Sequence, residues 1–352
     1  MRTGWLLSHR SALRGLALLA LMLGFALPTM AQPRLGMSFP PVKTAAEIAF
    51  TVEKLQALGV RDIRIAEAWA MREPNRGNYN WQAVEARIGA LSAAGLRIML
   101  TILSDGPNWA CGARNNYTCE ITDWPAFEAY VTALLGRVGG QLASIQFGNE
   151  WDNLYVGDVA QYIAQQNAFY DLVKRVQPGL TVVLGGITTR AQLYEAVCLN
   201  GMQLDQSAYG LRRELDLNAY VQNAVCGRAR AGYAADLAEV EMVLKAARYD
   251  LADIHLYDTP DLWPEFIRSF TRLSRAPVIV SEFGGPNPEL ERDDPLYQAG
   301  RLVDYLMVMQ GLPVDLAYYF KLTDDDSSYH NRSGLFDRQG REKPALDVFE
   351  NR

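Results

Sequence analysis

Short apolar runs alternate with longer stretches of helical spacing along most of the chain. The runs RLGMSF (34–39), DIRIA (62–66), LRIMLTI (96–102), ASIQFG (143–148), LTVVLGG (180–186), LADIHLY (251–257), APVIVSEF (276–283) and VDLAYYF (314–320) are rich in branched and aromatic residues. They read as eight strands. Between them, AAEIAFTVEKLQALG, AVEARIGALSAAG, WPAFEAYVTALLGRV, DVAQYIAQQNAFYDLVKRV and AGRLVDYLMVMQG place apolar residues three and four apart, and several end in Gly, as helix stops do. Eight β-then-α units predict an α/β fold, a (β/α)8 TIM barrel, with a doubly wound sheet as the alternative. The rhythm breaks between the fifth and sixth strands, where 187–249 exceeds what one helix needs. It is expected to be an inserted segment at the barrel mouth, either contacting a ligand or decorating the rim.

The first 31 residues follow another pattern. Arg2, Arg10 and Arg14 precede the apolar run GLALLALMLGFAL, and Pro28 to Ala31 offer small residues for cleavage after Ala31. This predicts a secretory signal peptide, because the run falls short of the roughly 20 residues that cross a bilayer. The expected domain is then a single catalytic unit over 32–352, exported to the periplasm or the medium, a monomer with no membrane insertion after cleavage. Removing the leader leaves 31 basic against 40 acidic side chains, a net charge of −9 compared with −6 for the whole chain. Nucleic acid and anionic membrane are thereby poor partners. Four cysteines, Cys111, Cys119, Cys198 and Cys226, lie in the exported part. An even count there favours two disulfides, with 111–119 and 198–226 preferred among three pairings over free thiols.

In a barrel the working residues stand at the C-terminal ends of strands. Glu150 and Glu282 end strands four and seven, on opposite sides of the mouth. Two carboxyls across a cleft suit glycoside hydrolysis, in which one protonates the departing oxygen and the other attacks the sugar carbon or activates water. Trp109, Trp151, Tyr319 and Phe320 are candidate platforms for sugar faces or rim packing. Arg64, Asn149 and His255 can bind hydroxyls or orient a carboxylate, and Tyr257 shares the His255 face by period two. Only His255 and His330 follow the leader, so HExxH and three-histidine metal sites are excluded. No GxSxG elbow and no Gly-rich phosphate loop occur, so neither a metal nor another cofactor is expected. Asp324 to Asp326 read as a solvated turn.

The segments RIAEAWAMREPNRGNYNW, GPNWA, FGNEWD, HLY, SEFGG and GLFDRQGREKPAL together resemble the retaining glycoside hydrolases of clan A, most closely family 39 and related bacterial polysaccharide hydrolases. The resemblance implies cleavage of a β-glycosidic bond by double displacement, with Glu150 as acid/base and Glu282 as nucleophile. It implies that Asn149 binds the hydroxyl beside the reacting carbon, and that Arg64, His255 and Tyr257 hold and tune the nucleophile. Two departures stand out: AYYFKL replaces the Trp common at the end of strand eight, and Trp-Asp follows the acid/base where Pro is commoner. The alternatives are a non-catalytic carbohydrate-binding barrel and a transglycosylase using the same pair.

Overall fold

The computed structural model describes residues 32–352; the expected signal peptide lies outside them. The strands are β1 (Arg34–Ser38), β2 (Asp62–Glu67), β3 (Arg97–Ile102), β4 (Leu142–Phe147), β5 (Thr181–Val183), β6 (Ala252–Tyr257), β7 (Val278–Gly284) and β8 (Leu316–Tyr319). They run parallel in the order β5-β4-β3-β2-β1-β8-β7-β6. Leu184 N–H donates to Leu251 O at 2.9 Å and His255 N–H to Ile187 O at 2.8 Å, joining β5 to β6 and closing the barrel. The strand near 180 is shorter than expected because Leu184 to Ile187 leave the regular ladder and touch β6 only through these bridges.

A helix follows each strand: Ala45–Ala57, Gln82–Ala93, Trp124–Val138, Val159–Val176, Arg230–Ala246, Trp263–Leu273, Pro295–Gln310 and Pro344–Glu350. Local chemistry starts several of them. Thr44 and Glu47 form a reciprocal capping box, and the Asp123, Asp158 and Asp294 carboxylates accept from backbone N–H groups in the first turn.

Burial separates two apolar regions. One packs helices against the outside of the sheet, while Met99, Val183, Ile279, Leu316 and Tyr318 form a separate cluster packed with Leu251. Period two then dictates what lies one step toward the C-terminal ends. Thr101 follows Met99, Ser281 follows Ile279, and Asp253 then His255 then Tyr257 follow Leu251. An apolar plug thus carries a polar layer. Gly36 is required beside the plug, since a Cβ there would lie 2.5 Å from the Tyr318 ring.

Cys111–Cys119 ties a hairpin of Cys111–Arg114 and Cys119–Ile121 after β3, and Cys198–Cys226 ties the region between β5 and β6. In that region residues 205–212 dock on loops after β6 and β7. Asp205 N–H donates to Asp261 Oδ2 at 2.8 Å, Arg212 N–H to Leu290 O at 2.9 Å, and Arg292 N–H to Gly210 O at 2.9 Å. Replacing Cys198 and Cys226 together by Ala should lower unfolding free energy by about 2–4 kcal/mol, since the bond restrains the unfolded chain over 28 residues. Urea unfolding of the oxidised parent and the variant checks this.

Candidate active site

Arg64 is fully buried and connects most of the polar layer. Its Nη1 donates to Glu282 Oε1 at 2.5 Å and to Ser38 Oγ at 3.3 Å. Nη2 donates to Asn149 Oδ1 at 2.5 Å and to Gln146 Oε1 at 2.8 Å, while Nε reaches Thr101 Oγ1 at 3.1 Å. The guanidinium also lies 4.3 Å from the centre of the Phe39 ring. It is therefore the buried partner of a carboxylate, and that carboxylate is Glu282. Because Asn149 Oδ1 faces Arg64, its amide N–H groups are left without a protein partner among the described residues, suited to donate to a hydroxyl.

The other oxygen of Glu282, Oε2, accepts from Tyr257 Oη at 2.5 Å. Burial pushes the Glu282 carboxyl up, but the His255 and Arg64 charges and the two donated hydrogen bonds outweigh it, so it titrates below the usual carboxylate range. Burial and the neighbouring Glu282 charge push the Tyr257 phenol well above its ordinary value, keeping it a donor.

His255 Nδ1 lies 2.9 Å from Glu150 Oε1 and 3.7 Å from Glu282 Oε2. Its Nε2 lies 3.1 Å from Ser281 Oγ, whose own O–H donates to Asp253 Oδ2 at 2.5 Å. Since that proton is committed, Nε2–H must donate to Ser281, leaving Nδ1 for Glu150. Asp253 also accepts from Ser281 N–H at 2.8 Å and from Gln146 Nε2 at 2.6 Å. Burial pulls His255 down, yet Glu282, Glu150 and Asp253 raise it overall, so an imidazolium is favoured between the two glutamates. Gly186 permits this placement, because a Cβ there would sit 2.3 Å from His255 Nε2.

An oxygen of Glu150 and an oxygen of Glu282 lie within 4.8 Å of one another. Glu150 is partly open, with a side-chain exposure of 21%, and its Oε2 has no protein partner among the described residues. Its φ is 46°, and Phe39 and Asp258 are the other non-glycine residues with positive φ among those described. All three follow barrel strands at the mouth, where strained backbone gathers around working sites. Two residues on, burial pushes the Asp152 carboxyl up to about 6 although Thr188 N–H and O–H both bond it. Glu150, His255 and Glu282 are also close enough together to hold a metal ion, but Arg64 already supplies the positive charge on Glu282.

The aromatic expectations divide. Trp151 is 5% exposed and stacks on Tyr162 at 4.8 Å, and Tyr319 is 1% exposed with its hydroxyl donating to Ser333 O at 2.7 Å. Neither presents a face to a sugar, because each side chain packs into the core. Phe320 stays beside the site, edge-on to Tyr257 at 6.0 Å. Trp109 packs edge-on to Trp69, and Arg76 covers one of its faces at 4.5 Å. Asp324, Asp325 and Asp326 pair with Lys343, Lys321 and Arg338 rather than standing as a merely solvated turn. Sequence reasoning missed Gln146, Thr101 and Asp253, although polar residues on the inward register of apolar strands were the available signal. It also missed His330, which lies parallel to Tyr257 at 4.2 Å and carries no such signal.

Two clefts each take in a residue that packs on a partner of Glu282, Phe39 on Arg64 and His330 on Tyr257. One of about 720 Å³ includes Phe39, Ile65, Arg87 and Lys321, and one of about 480 Å³ includes Pro286, His330 and Arg332. Glu150 and Glu282 line neither.

No family model and no curated protein sequence matches the chain. Solved structures do resemble it. The exo-β-1,4-mannosidase Op5Man5 from Opitutaceae bacterium strain TAV5 superposes with TM-score 0.64 at 17% identity, covering 91% of this chain and 59% of that one. A family 39 glycoside hydrolase from the gut symbiont Bacteroides cellulosilyticus WH2 gives 0.60 at 16%, covering 91% and 63%. The GH5_18 protein of Streptomyces cattleya in complex with Manβ1-4GlcNAc gives 0.63 at 14%, covering 91% and 80%. This chain thus spans less than two thirds of the first two. The likeness establishes the fold, a (β/α)8 barrel shared with these glycoside hydrolases.

Replacing Arg64 by Met should cost about 3–5 kcal/mol at neutral pH, because Glu282 is left buried without its partner. The depressed Glu282 pKa contributes stability above the unfolded value of about 4.3, which is lost as pH falls through the lower folded value. The gap between parent and variant should therefore narrow as pH falls from neutral toward about 4, because Glu282 of the variant, buried without its partner, takes up a proton before that of the parent does. Urea unfolding at both pH values checks the direction.

Proposed function

We propose that the chain is a retaining glycoside hydrolase acting on a β-glycosidic bond of an oligo- or polysaccharide, with Glu282 as nucleophile and Glu150 as acid/base. The observation that carries this is the Glu150–Glu282 approach within 4.8 Å. It favours the roughly 5–5.5 Å separation of retaining enzymes over the roughly 6.5–9.5 Å that leaves room for water in inverting ones. The environments also differ as two roles require: Glu282 is held ionised by Arg64, His255 and Tyr257, whereas Glu150 has one oxygen open.

In the first step a Glu282 oxygen attacks the anomeric carbon, the bond to the departing oxygen breaks, and Glu150 gives that oxygen its proton. In the second, Glu150 takes a proton from water, the hydroxide oxygen bonds the same carbon, and the bond to Glu282 breaks. Asn149 offers its amide N–H to the neighbouring hydroxyl. His255, bonded to Glu150 and backed by Ser281 and Asp253, supports the carboxyl that changes protonation between steps. Phe320 remains a candidate contact for the sugar; Trp109 can offer only the face that Arg76 leaves uncovered. The names of the mannosidase and the Manβ1-4GlcNAc complex make β-mannosides the first substrates to try.

A panel of aryl β-mannosides, glucosides, xylosides and galactosides tests the proposal. On whichever is turned over, Glu282→Gln should abolish measurable turnover. Glu150→Gln should lower kcat by about 10²–10⁴-fold, the range general acid–base catalysis supplies. Azide should recover part of the Glu150→Gln loss as the β-glycosyl azide. Near-parental turnover in either variant refutes the assignment.

A further inference from the structure

Resting on the proposed function, we infer that His330 is a positioning residue for the reaction: its ring lies flat on Tyr257 and keeps the phenol in line with Glu282.

The rings are 4.2 Å apart and 2° from parallel, and His330 is 8% exposed. Tyr257 Oη stands at the far end of a side chain with two soft torsions, so its aim is set by what packs against the ring. His330 covers a face and Phe320 meets the ring edge-on at 6.0 Å. The main chain is anchored separately, with Tyr257 O accepting from Thr259 N–H at 2.7 Å and Asp258 O accepting from Arg301 Nη2 at 2.8 Å. Those bonds fix the start of the side chain. The His330 contact governs its end.

A charged ring here would act differently, adding a third cation near Glu282 and drawing charge from the Arg64 and Tyr257 bonds. The surroundings prevent it. Burial pushes His330 down to about 4, with Lys321 acting in the same direction and Glu282 and the Pro286 carbonyl opposing. The Asp258 carboxyl, 3.8 Å from His330 Nδ1, is pushed well above the carboxylate range by burial and by Glu291, which weakens its pull on a proton at the ring. Tyr329 contributes only a neutral edge, at 5.0 Å. His330 therefore acts as an uncharged flat surface.

The test uses the whole chain without substrate, labelled with ¹³C at the glutamate carboxyls; the Glu282 signal is the one missing from Glu282→Gln. His330→Leu fills the space without a ring face and should raise the Glu282 midpoint by about one pH unit, a tenfold change in its ionisation constant. His330→Gln serves as a second ringless variant should the Leu variant fail to fold. His330→Phe, which keeps a face, should restore the parental midpoint. In a Tyr257→Phe background the ringless change should add nothing. An unchanged midpoint in folded ringless variants, or an equal shift in the Tyr257→Phe background, overturns the inference. Where an aryl glycoside is turned over, the acid limb of kcat/KM should move with the midpoint. A parent that turns over no glycoside would count against the glycosidase reading alone, because the midpoint comparison needs no turnover.

Discussion

The Arg64–Glu282 pair is the constraint on which the rest of the polar interior depends. A guanidinium and a carboxylate removed from water are costly unless their donors and lone pairs find partners. Here Arg64 bonds Glu282, Asn149, Gln146, Thr101 and Ser38, which come from β1, β3, β4 and β7 or the loop after β4, while Arg64 itself comes from β2. Five parts of the barrel are thereby registered through one side chain. The same contact keeps Glu282 ionised and its oxygens oriented, so stability and the chemistry proposed for the site share one source.

This arrangement follows from strand geometry. Inward positions recur every second residue, and an apolar layer with Met99, Ile279 and Leu251 is followed by Thr101, Ser281 and Asp253. The polar layer rests on the plug and is screened from water beneath. One step higher, His255 and Tyr257 reach the carboxylates from β6, and backbone strain at Phe39, Glu150 and Asp258 turns the chain sharply where strands give way to loops. Glu150 is thus delivered by a left-handed turn, and Glu282 by a strand whose ladders to both neighbours shift register beside it, which brings Glu282 inward next to Ser281. That difference matches a group that stays partly open and one that is locked in place.

Much of this was legible in the sequence. Hydrophobic periodicity located eight strands and the barrel, and Glu150, Glu282, Arg64, Asn149, His255 and Tyr257 come together as the strand ends implied. The cysteine pairing was legible from the short loop and the even count. Trp151 and Tyr319 were misjudged because a strand-end aromatic can turn inward or outward, and only packing against Tyr162 or the Ser333 carbonyl decides. His330 was invisible for another reason. It lies on an irregular loop after β8, and its contact with Tyr257 spans a separation that periodicity does not see. The region between β5 and β6 was recognised as too long for one helix, but its contacts with Asp261 and Leu290 depend on tertiary docking.

The central claim is that Glu282 forms a covalent bond to sugar while Glu150 does not. Incubation with a 2-deoxy-2-fluoro β-glycosyl donor bearing an activated leaving group, followed by proteolysis and mass spectrometry, addresses it most directly. The account predicts one added fluorosugar per chain, on the peptide containing Ser281-Glu282-Phe283, with none in Glu282→Gln. A label on the peptide containing Glu150, or on neither, would contradict it.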